Sequence, residues 1–219
     1  MKRLAVIAIC VVATMVIAIV VWRVTTQEQR QLRYTSTNLQ VKTNVNDIVH
    51  GSDTALLSVY LYLSYGCPHC RNFLNYDLPL IKEQFIDNGK VRLVLKPVEL
   101  RENIDMLNAL QLQICMHNNG MHDDITELLQ TETTAVYTDE FRTLIDDILV
   151  QNPELAECLV FDNFATIKQN NTDFISLDTK LTPIFVIGGH VYKGRRKVEQ
   201  FVKILNYELD NCLTKKIKR

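Results

Sequence analysis

A single junction most narrows what this chain can fold into: an apolar, aromatic run from Ala55 to Tyr65 is broken at Gly66 and followed at once by Cys67-Pro68-His69-Cys70. Val59, Tyr60, Tyr62 and Tyr65 favour a pleated strand, and its near-continuous apolar character places it where both faces are covered, at the centre of an α/β sheet. Beyond the junction, Phe73, Leu74 and Tyr76 supply the inner face of a helix. Pro79 kinks or restarts that helix, Asp77 is available as a cap, and Asn88-Gly89 ends it. Lys90 to Pro97 reads as a second strand, so strand, helix and strand make one right-handed βαβ unit. From residue 102 to 170 the pattern is helical only, with Ile104, Leu107, Leu110 and Ile114, then Phe141, Leu144, Ile145 and Ile148, then Leu155, Cys158, Leu159 and Phe161 at helical spacing. Strands return from Thr182 to Ile187 and from His190 to Lys193 around Gly188-Gly189, a pair suited to a two-residue hairpin. A last helix carries Val198, Phe201, Val202, Leu205 and Leu209 on one face. The expected architecture is α/β with an inserted all-helical subdomain. Residues 54–101 and 171–212 form the sheet domain and 102–170 the insertion; 24–53 is a spacer or a short peripheral strand and helix, and 213–219 a basic tail.

The spacing of the two cysteines has a chemical consequence. At a strand-to-helix junction the first of them meets the unpaired N–H groups and the positive dipole end of the helix, which favour an anion. Cys67 therefore ionises more readily than an isolated thiol, and its thiolate is both a nucleophile and a leaving group. Cys70, one turn on, is expected to be the more buried partner that resolves a mixed disulfide. His69 between them can lend charge or a hydrogen bond to the thiolate, which stabilises the reduced pair and makes the Cys67–Cys70 disulfide a stronger oxidant. The competing reading is half of a zinc site completed by Cys115 with His117 or His122. A second knuckle of matching spacing is missing, and the ligands would have to cross from helix to sheet, so neither metal nor cofactor is expected. His50, His190, His117 and His122 read as ordinary surface or capped histidines. Tyr60, Tyr62 and Tyr65 read as core, with Tyr65 near enough to Cys67 to touch a bound chain. Asn170-Asn171-Thr172 matches a glycosylation sequon, a motif too short to carry weight.

The N-terminus is topogenic. Lys2 and Arg3 precede an uncharged apolar stretch, Leu4 to Trp22, closed by Arg23 and long enough to cross most of a hydrocarbon core. Neither Val20-Val21-Trp22 nor Val24-Thr25-Thr26 offers the small-residue pair of a cleavage site, so residues 1–23 read as an uncleaved signal anchor in preference to a signal peptide released after cleavage. Arg30 and Arg33 weaken the charge bias, but a three-residue tail before a large C-terminal domain places that domain on the exported side. Cys10 lies within the apolar stretch after the bulky Ile9 and is no lipid acceptor. The other cysteines, Cys67, Cys70, Cys115, Cys158 and Cys212, are odd in number, and Cys212 in the last helix is the natural leftover. With 24 basic against 25 acidic side chains and no basic stripe interleaved with aromatics, no nucleic-acid partner is expected. The run Lys215-Lys216-Ile217-Lys218-Arg219 is a solvated chain end.

Tyr65-Gly66-Cys67-Pro68-His69-Cys70 followed by Phe73, with Thr182-Pro183 far downstream and a helical stretch between, resembles the DsbA-like thiol-disulfide oxidoreductases of the thioredoxin superfamily over about residues 50–210. The resemblance implies a thioredoxin fold interrupted by the helical insertion, a strongly oxidising Cys67–Cys70 pair in which Pro68 and His69 belong to the catalytic segment, and a cis-proline at Pro183. The residue before it, Thr182, would present its backbone to the substrate chain. A second disulfide in the helical domain, known in some members, implies Cys115–Cys158. The partners implied are unfolded or reduced exported proteins, held loosely by apolar surface around the site, and a membrane thiol oxidase that reoxidises the pair. The compartment is periplasmic or otherwise extracytoplasmic, with residues 4–22 as tether. Two positions depart from the pattern. Leu61 stands where the best-known oxidases carry a buried glutamate, with Lys96 and Glu99 as substitutes for proton handling near Cys70. Thr182 replaces their valine and is shared with isomerases and reductases. A protein-thiol oxidase is the preferred function. The alternatives are an isomerase or reductase of the same fold, and a redox-inactive membrane-anchored assembly factor.

Overall fold

The computed structural model describes residues 12–23, 34–37, 39–121, 124–162 and 164–217. It divides at Arg33 into two units. In the first, residues 12–23 form a helix, α1, whose side chains are exposed. Among the described residues no helix is long and apolar enough to cross a membrane. The stretch Leu4 to Val11 of the expected anchor lies outside them.

The second unit is built on a sheet that has six strands among the described residues: β1 (Tyr34–Ser36), β2 (Ile48–His50), β3 (Leu57–Leu63), β4 (Val91–Pro97), β5 (Ile184–Ile187) and β6 (His190–Lys193). Their spatial order is β1-β6-β5-β3-β4-β2. β3 pairs in parallel with β4 and antiparallel with β5, so the apolar run before the cysteines is central, with Leu57, Val59, Leu61, Tyr62 and Leu63 buried. The segment read as a spacer supplies both edge strands. β1 pairs antiparallel with β6 and β2 antiparallel with β4. The β5–β6 hairpin turns through Gly188 and Gly189, both at positive φ, and a Cβ on Gly188 would come within 2.4 Å of the Glu208 carboxylate. Glu208 is buried and accepts hydrogen bonds from His190 Nδ1 at 2.6 Å and from the Tyr192 hydroxyl, which ties the last helix to β6.

The helix after the cysteines is a continuous rod made of α2 (Pro68–Asn72), a π-helical turn (Phe73–Asp77), α3 (Leu78–Ile81) and a second π-helical turn (Lys82–Ile86). Pro79 does not break it, because the wider turn before Pro79 accommodates the missing N–H. The buried stripe is Cys70, Phe73, Leu74, Asp77 and Ile81, so Tyr76, expected on the inner face, lies off that stripe and is 67% exposed. Asp77 makes no cap bond. It pairs with Arg195 through two contacts, Nε at 2.6 Å and Nη2 at 3.0 Å, and so pins the rod to the chain beyond β6.

Between β4 and β5 run α4 (Ile104–Asn118), α5 (Asp124–Thr131), a 3₁₀ turn (Thr133–Tyr137), α6 (Asp139–Gln151), α7 (Pro153–Asp162) and α8 (Ala165–Ser176). Asn103 and Thr138 cap α4 and α6 by accepting from Met106 N and Phe141 N. α4 is buried without interruption from Ala109 to Met116, whereas Ile104, expected inside, is exposed, as is Leu144 on α6. A helix surrounded by others has no single apolar stripe to read. α8 covers one face of the sheet, where Phe174 and Leu177 meet Tyr62, Ile184, Val186 and Val191. The rod that follows the cysteines and α9 (Val198–Ile217) cover the other, through the ring cluster Phe73, Phe185 and Phe201, whose centroids are 4.6–5.5 Å apart.

Candidate redox site

Cys67 is the N-cap of α2, with extended backbone, and Pro68 takes the first helical position, where its missing N–H costs nothing. The carbonyl of Ser64 accepts from Cys67 N at 3.0 Å, and the carbonyl of Cys67 accepts from Cys70 N at 3.0 Å and Arg71 N at 3.2 Å. Both cysteines are thiols in this structure; Cys67 is half-buried and Cys70 is 1% exposed. The Thr182–Pro183 peptide is cis, and the Cys67 thiol donates to the Thr182 carbonyl at 3.4 Å. The fold thus brings Cys67, Cys70, Thr182 and Pro183 together across more than half the chain, with Pro68 and His69 exposed at the rim.

Opposite forces act on the two thiols. Burial raises Cys67, but hydrogen bonds from the Thr182 side chain, from the backbone N–H groups of Cys70 and His69 and from the Cys70 thiol outweigh it and hold Cys67 below the ordinary thiol range. The Thr182 carbonyl works against this trend, since it can accept only from the protonated sulfur. Burial pushes Cys70 up to about 12, and the groups that bear on it are Thr182, the Ser64 backbone and Cys67. His69 thus acts on the Cys67 sulfur through its backbone N–H, and the residue itself is exposed.

The sequence-derived substitutes for a buried acid lie elsewhere. Lys96 pairs in register with Tyr62 on the face that α8 covers, and its ammonium is held by Asp47 at 2.5 Å, both side chains fully buried. Leu61 pairs with Leu95 and Phe185 on the opposite face, towards the rod that carries Cys70. Glu99 caps the chain locally, accepting from Arg101 N at 2.8 Å. Cys115, a ligand in the zinc alternative, is joined to Cys158 by a disulfide with Cα atoms 5.9 Å apart, and among the described residues no cluster of three or more His, Cys, Asp or Glu could hold a metal ion. Cys212 is a half-buried thiol that donates to Leu56 O at 3.2 Å. Asn170 of the sequon is fully buried and donates to Pro97 O at 3.2 Å, so it is no glycan acceptor in the folded chain.

Tyr65 is not available to a bound chain. It is 1% exposed, its carbonyl accepts from Arg71 Nη1 at 2.6 Å and from Thr133 Oγ1 at 3.2 Å, and its hydroxyl accepts from Gln113 Nε2 at 2.6 Å. Arg71, Thr133 and Gln113 were not among the residues that the sequence marks out. The one available signal is polar chemistry in an apolar setting: a core tyrosine needs a partner for its hydroxyl, and Gln111 and Gln113 interrupt the apolar run of α4.

The thioredoxin family model matches residues 43–207. A Rickettsia prowazekii protein that carries the provisional name protein-disulfide oxidoreductase is 25% identical over 199 residues, which cover 87% of this chain and 72% of that protein. A Rickettsia felis protein of the same name is 26% identical over 196 residues, covering 86% of this chain and 65% of its own length. Among solved structures, α-DsbA1 of Wolbachia pipientis superposes with a TM-score of 0.65 at 19% identity, covering 83% of this chain and 99% of that one. BdbD of Bacillus subtilis does so with a TM-score of 0.62 at 16% identity, covering 75% and 94%. These superpositions concern the fold.

Proposed function

This chain belongs to the thioredoxin family, and from that premise we propose that it is a DsbA-like thiol-disulfide oxidoreductase which acts as a protein-thiol oxidase outside the cytoplasm. The observation that carries this reading is the pairing of a half-buried, acidified Cys67 at a helix N-terminus, 3.4 Å from the Thr182 carbonyl, with a buried Cys70 whose thiol is pushed up to about 12.

The steps follow from that asymmetry. In the oxidised enzyme a substrate thiolate attacks the Cys67 sulfur, the Cys67–Cys70 bond breaks, and Cys70 leaves as a thiolate that takes up a proton at once, because burial disfavours its charge. The substrate backbone lies beside Thr182 and Pro183. A second substrate thiolate then attacks the substrate sulfur of the mixed disulfide, and Cys67 departs as the stabilised thiolate. Two electrons pass from two substrate thiols to the cysteine pair, with no cofactor. A membrane thiol oxidase takes them on. Stabilising the Cys67 thiolate stabilises the reduced pair, which makes the disulfide the stronger oxidant. The Cys115–Cys158 disulfide fits an oxidising, extracytoplasmic or periplasmic compartment, where the apolar sequence at residues 4–22 would serve as the tether. The clients are reduced exported chains.

The test is the reduction potential of the Cys67–Cys70 pair, read in glutathione buffers, together with oxidation of a reduced, unfolded substrate protein. A potential well above about −270 mV, the thioredoxin value, with net disulfide formation supports the oxidase. A potential at that value supports a reductase, the direction that Thr182 shares, and activity that survives Cys67→Ser points to an assembly factor.

A further inference from the structure

Tyr65 stands two residues before Cys67, and its two ends are held by different parts of the molecule. The carbonyl is gripped by Arg71, which directly follows Cys70 on α2, so the guanidinium reaches back across the whole cysteine segment to the chain that enters it, at 2.6 Å. A charged donor at that distance makes a strong bond. Thr133 also reaches this carbonyl, at 3.2 Å, but its hydroxyl is nearer Leu129 O, at 2.6 Å, so Arg71 is the principal donor. The phenol end is gripped from α4 by Gln113, at 2.6 Å, and Gln113 is itself steadied by Thr126 at 2.5 Å. Between Tyr65 and Cys67 lies only Gly66, exposed and without the restraint of a Cβ.

We propose that Arg71 and Gln113 are positioning residues that act through Tyr65: together they fix the entry to the cysteine segment, so that the Cys67 sulfur rests against the N–H groups of His69 and Cys70 and beside Thr182. The reason is geometric. Hydrogen bonds to a thiolate weaken steeply once distance or angle drifts, and a glycine joint next to the nucleophile permits that drift unless the residue before it is held. The guanidinium of Arg71 is engaged with the Tyr65 carbonyl, and the groups that act most strongly on the Cys67 charge are others, so its influence is assigned to the carbonyl it holds. The helical insertion thereby reaches the redox pair through the Tyr65 ring.

The proposal deepens the oxidoreductase reading, and it is tested by a measurement that needs no substrate. In the full-length reduced protein, the rate of Cys67 alkylation by iodoacetamide is followed against pH by mass spectrometry for the parent, Arg71→Met, Arg71→Lys and Tyr65→Phe. Arg71→Met is expected to move the profile to higher pH and to slow alkylation at neutral pH about tenfold, the change in thiolate fraction for one pH unit. Arg71→Lys, which retains a donor, recovers most of that loss, and Tyr65→Phe, which releases only the ring, gives a smaller shift in the same direction. Parent-like profiles for Arg71→Met and Tyr65→Phe, whatever their melting temperatures, overturn the proposal and leave these bonds a purely structural role. Should Arg71→Met not fold, Tyr65→Phe decides alone. A parent that oxidises no substrate protein counts against the proposed function, and the alkylation profiles still decide the positioning.

Discussion

Cys67 and Cys70 lie one helical turn apart, yet only the first keeps a path to solvent and a set of N–H donors around its sulfur, while the second is enclosed by protein. Since the thiolate is the reacting form, the two should separate cleanly by reactivity. Alkylation of the reduced protein near neutral pH is expected to modify Cys67 and spare Cys70, with a Cys67 rate that levels off at lower pH than that of a free cysteine. Equal labelling of the two by peptide mass spectrometry would contradict the assignment of roles. A Cys70→Ser variant should accumulate a mixed disulfide between Cys67 and a substrate protein, because the internal thiol that would release it is gone; Cys67→Ser should accumulate none. Cys67 and Cys70 stood out because their spacing at a strand-to-helix junction is a short local pattern, whereas Thr182 and Pro183, which the fold brings beside them, were reached only through the family resemblance. Tyr65 is core, as its strand position implies, but the contact with a bound chain expected of it is closed off, and Arg71 was passed over, because their roles depend on a carbonyl and a helix that meet only in the folded chain.

At the level of elements, the two edge strands show where pattern reading fails for a physical reason. β1 and β2 are three-residue strands in a polar segment, too short for an alternating signature, and each is defined by its partner strand. The central strand, the hairpin and the last helix were legible because each carries an apolar pattern longer than one turn or one pairing. What fixes β2 is the Lys96–Asp47 pair: Asp47 immediately precedes the strand, accepts from Asn44 N at 2.6 Å, and reaches across to the buried ammonium on β4. Removing one member strands the other charge in the interior. Lys96→Met is therefore expected to cost about 3–5 kcal/mol in urea unfolding, and adding Asp47→Leu should recover much of it, because an apolar pair of similar volume carries no desolvation penalty. A double variant no more stable than Lys96→Met would show that the loss lies in packing.

Across the whole molecule, two devices set how the fold responds to its surroundings. The Cys115–Cys158 bond joins positions separated by 43 in sequence and ties α4 to α7 within the insertion. Replacing both cysteines by alanine should lower unfolding stability by about 2–4 kcal/mol, since the unfolded chain regains the freedom of that loop; an unchanged denaturation midpoint would argue against it. The second device is acid sensitivity centred on β2. His50 is lowered from the ordinary 6.5 to about 4, first by burial and then by His117 and Lys82, and its ring lies 6.0 Å from that of His117, whose Nε2 accepts from Val49 N. A base with a depressed folded value binds its proton more readily when unfolded. Its contribution is thus intact above about pH 6.5 and is lost as pH falls towards 4. His50 keeps part of its surface in solvent, so the loss is expected at roughly 1–3 kcal/mol, below the full linkage value. Asp47 has the opposite sign: burial raises its carboxyl, so proton uptake favours the folded state at the acid end of the same window. Comparing the parent with His50→Gln separates the two, because the substitution leaves Asp47 in place. The variant should lose less stability than the parent between pH 6.5 and 4 in urea titrations; parallel curves for the two proteins would remove His50 as the source of the acid response.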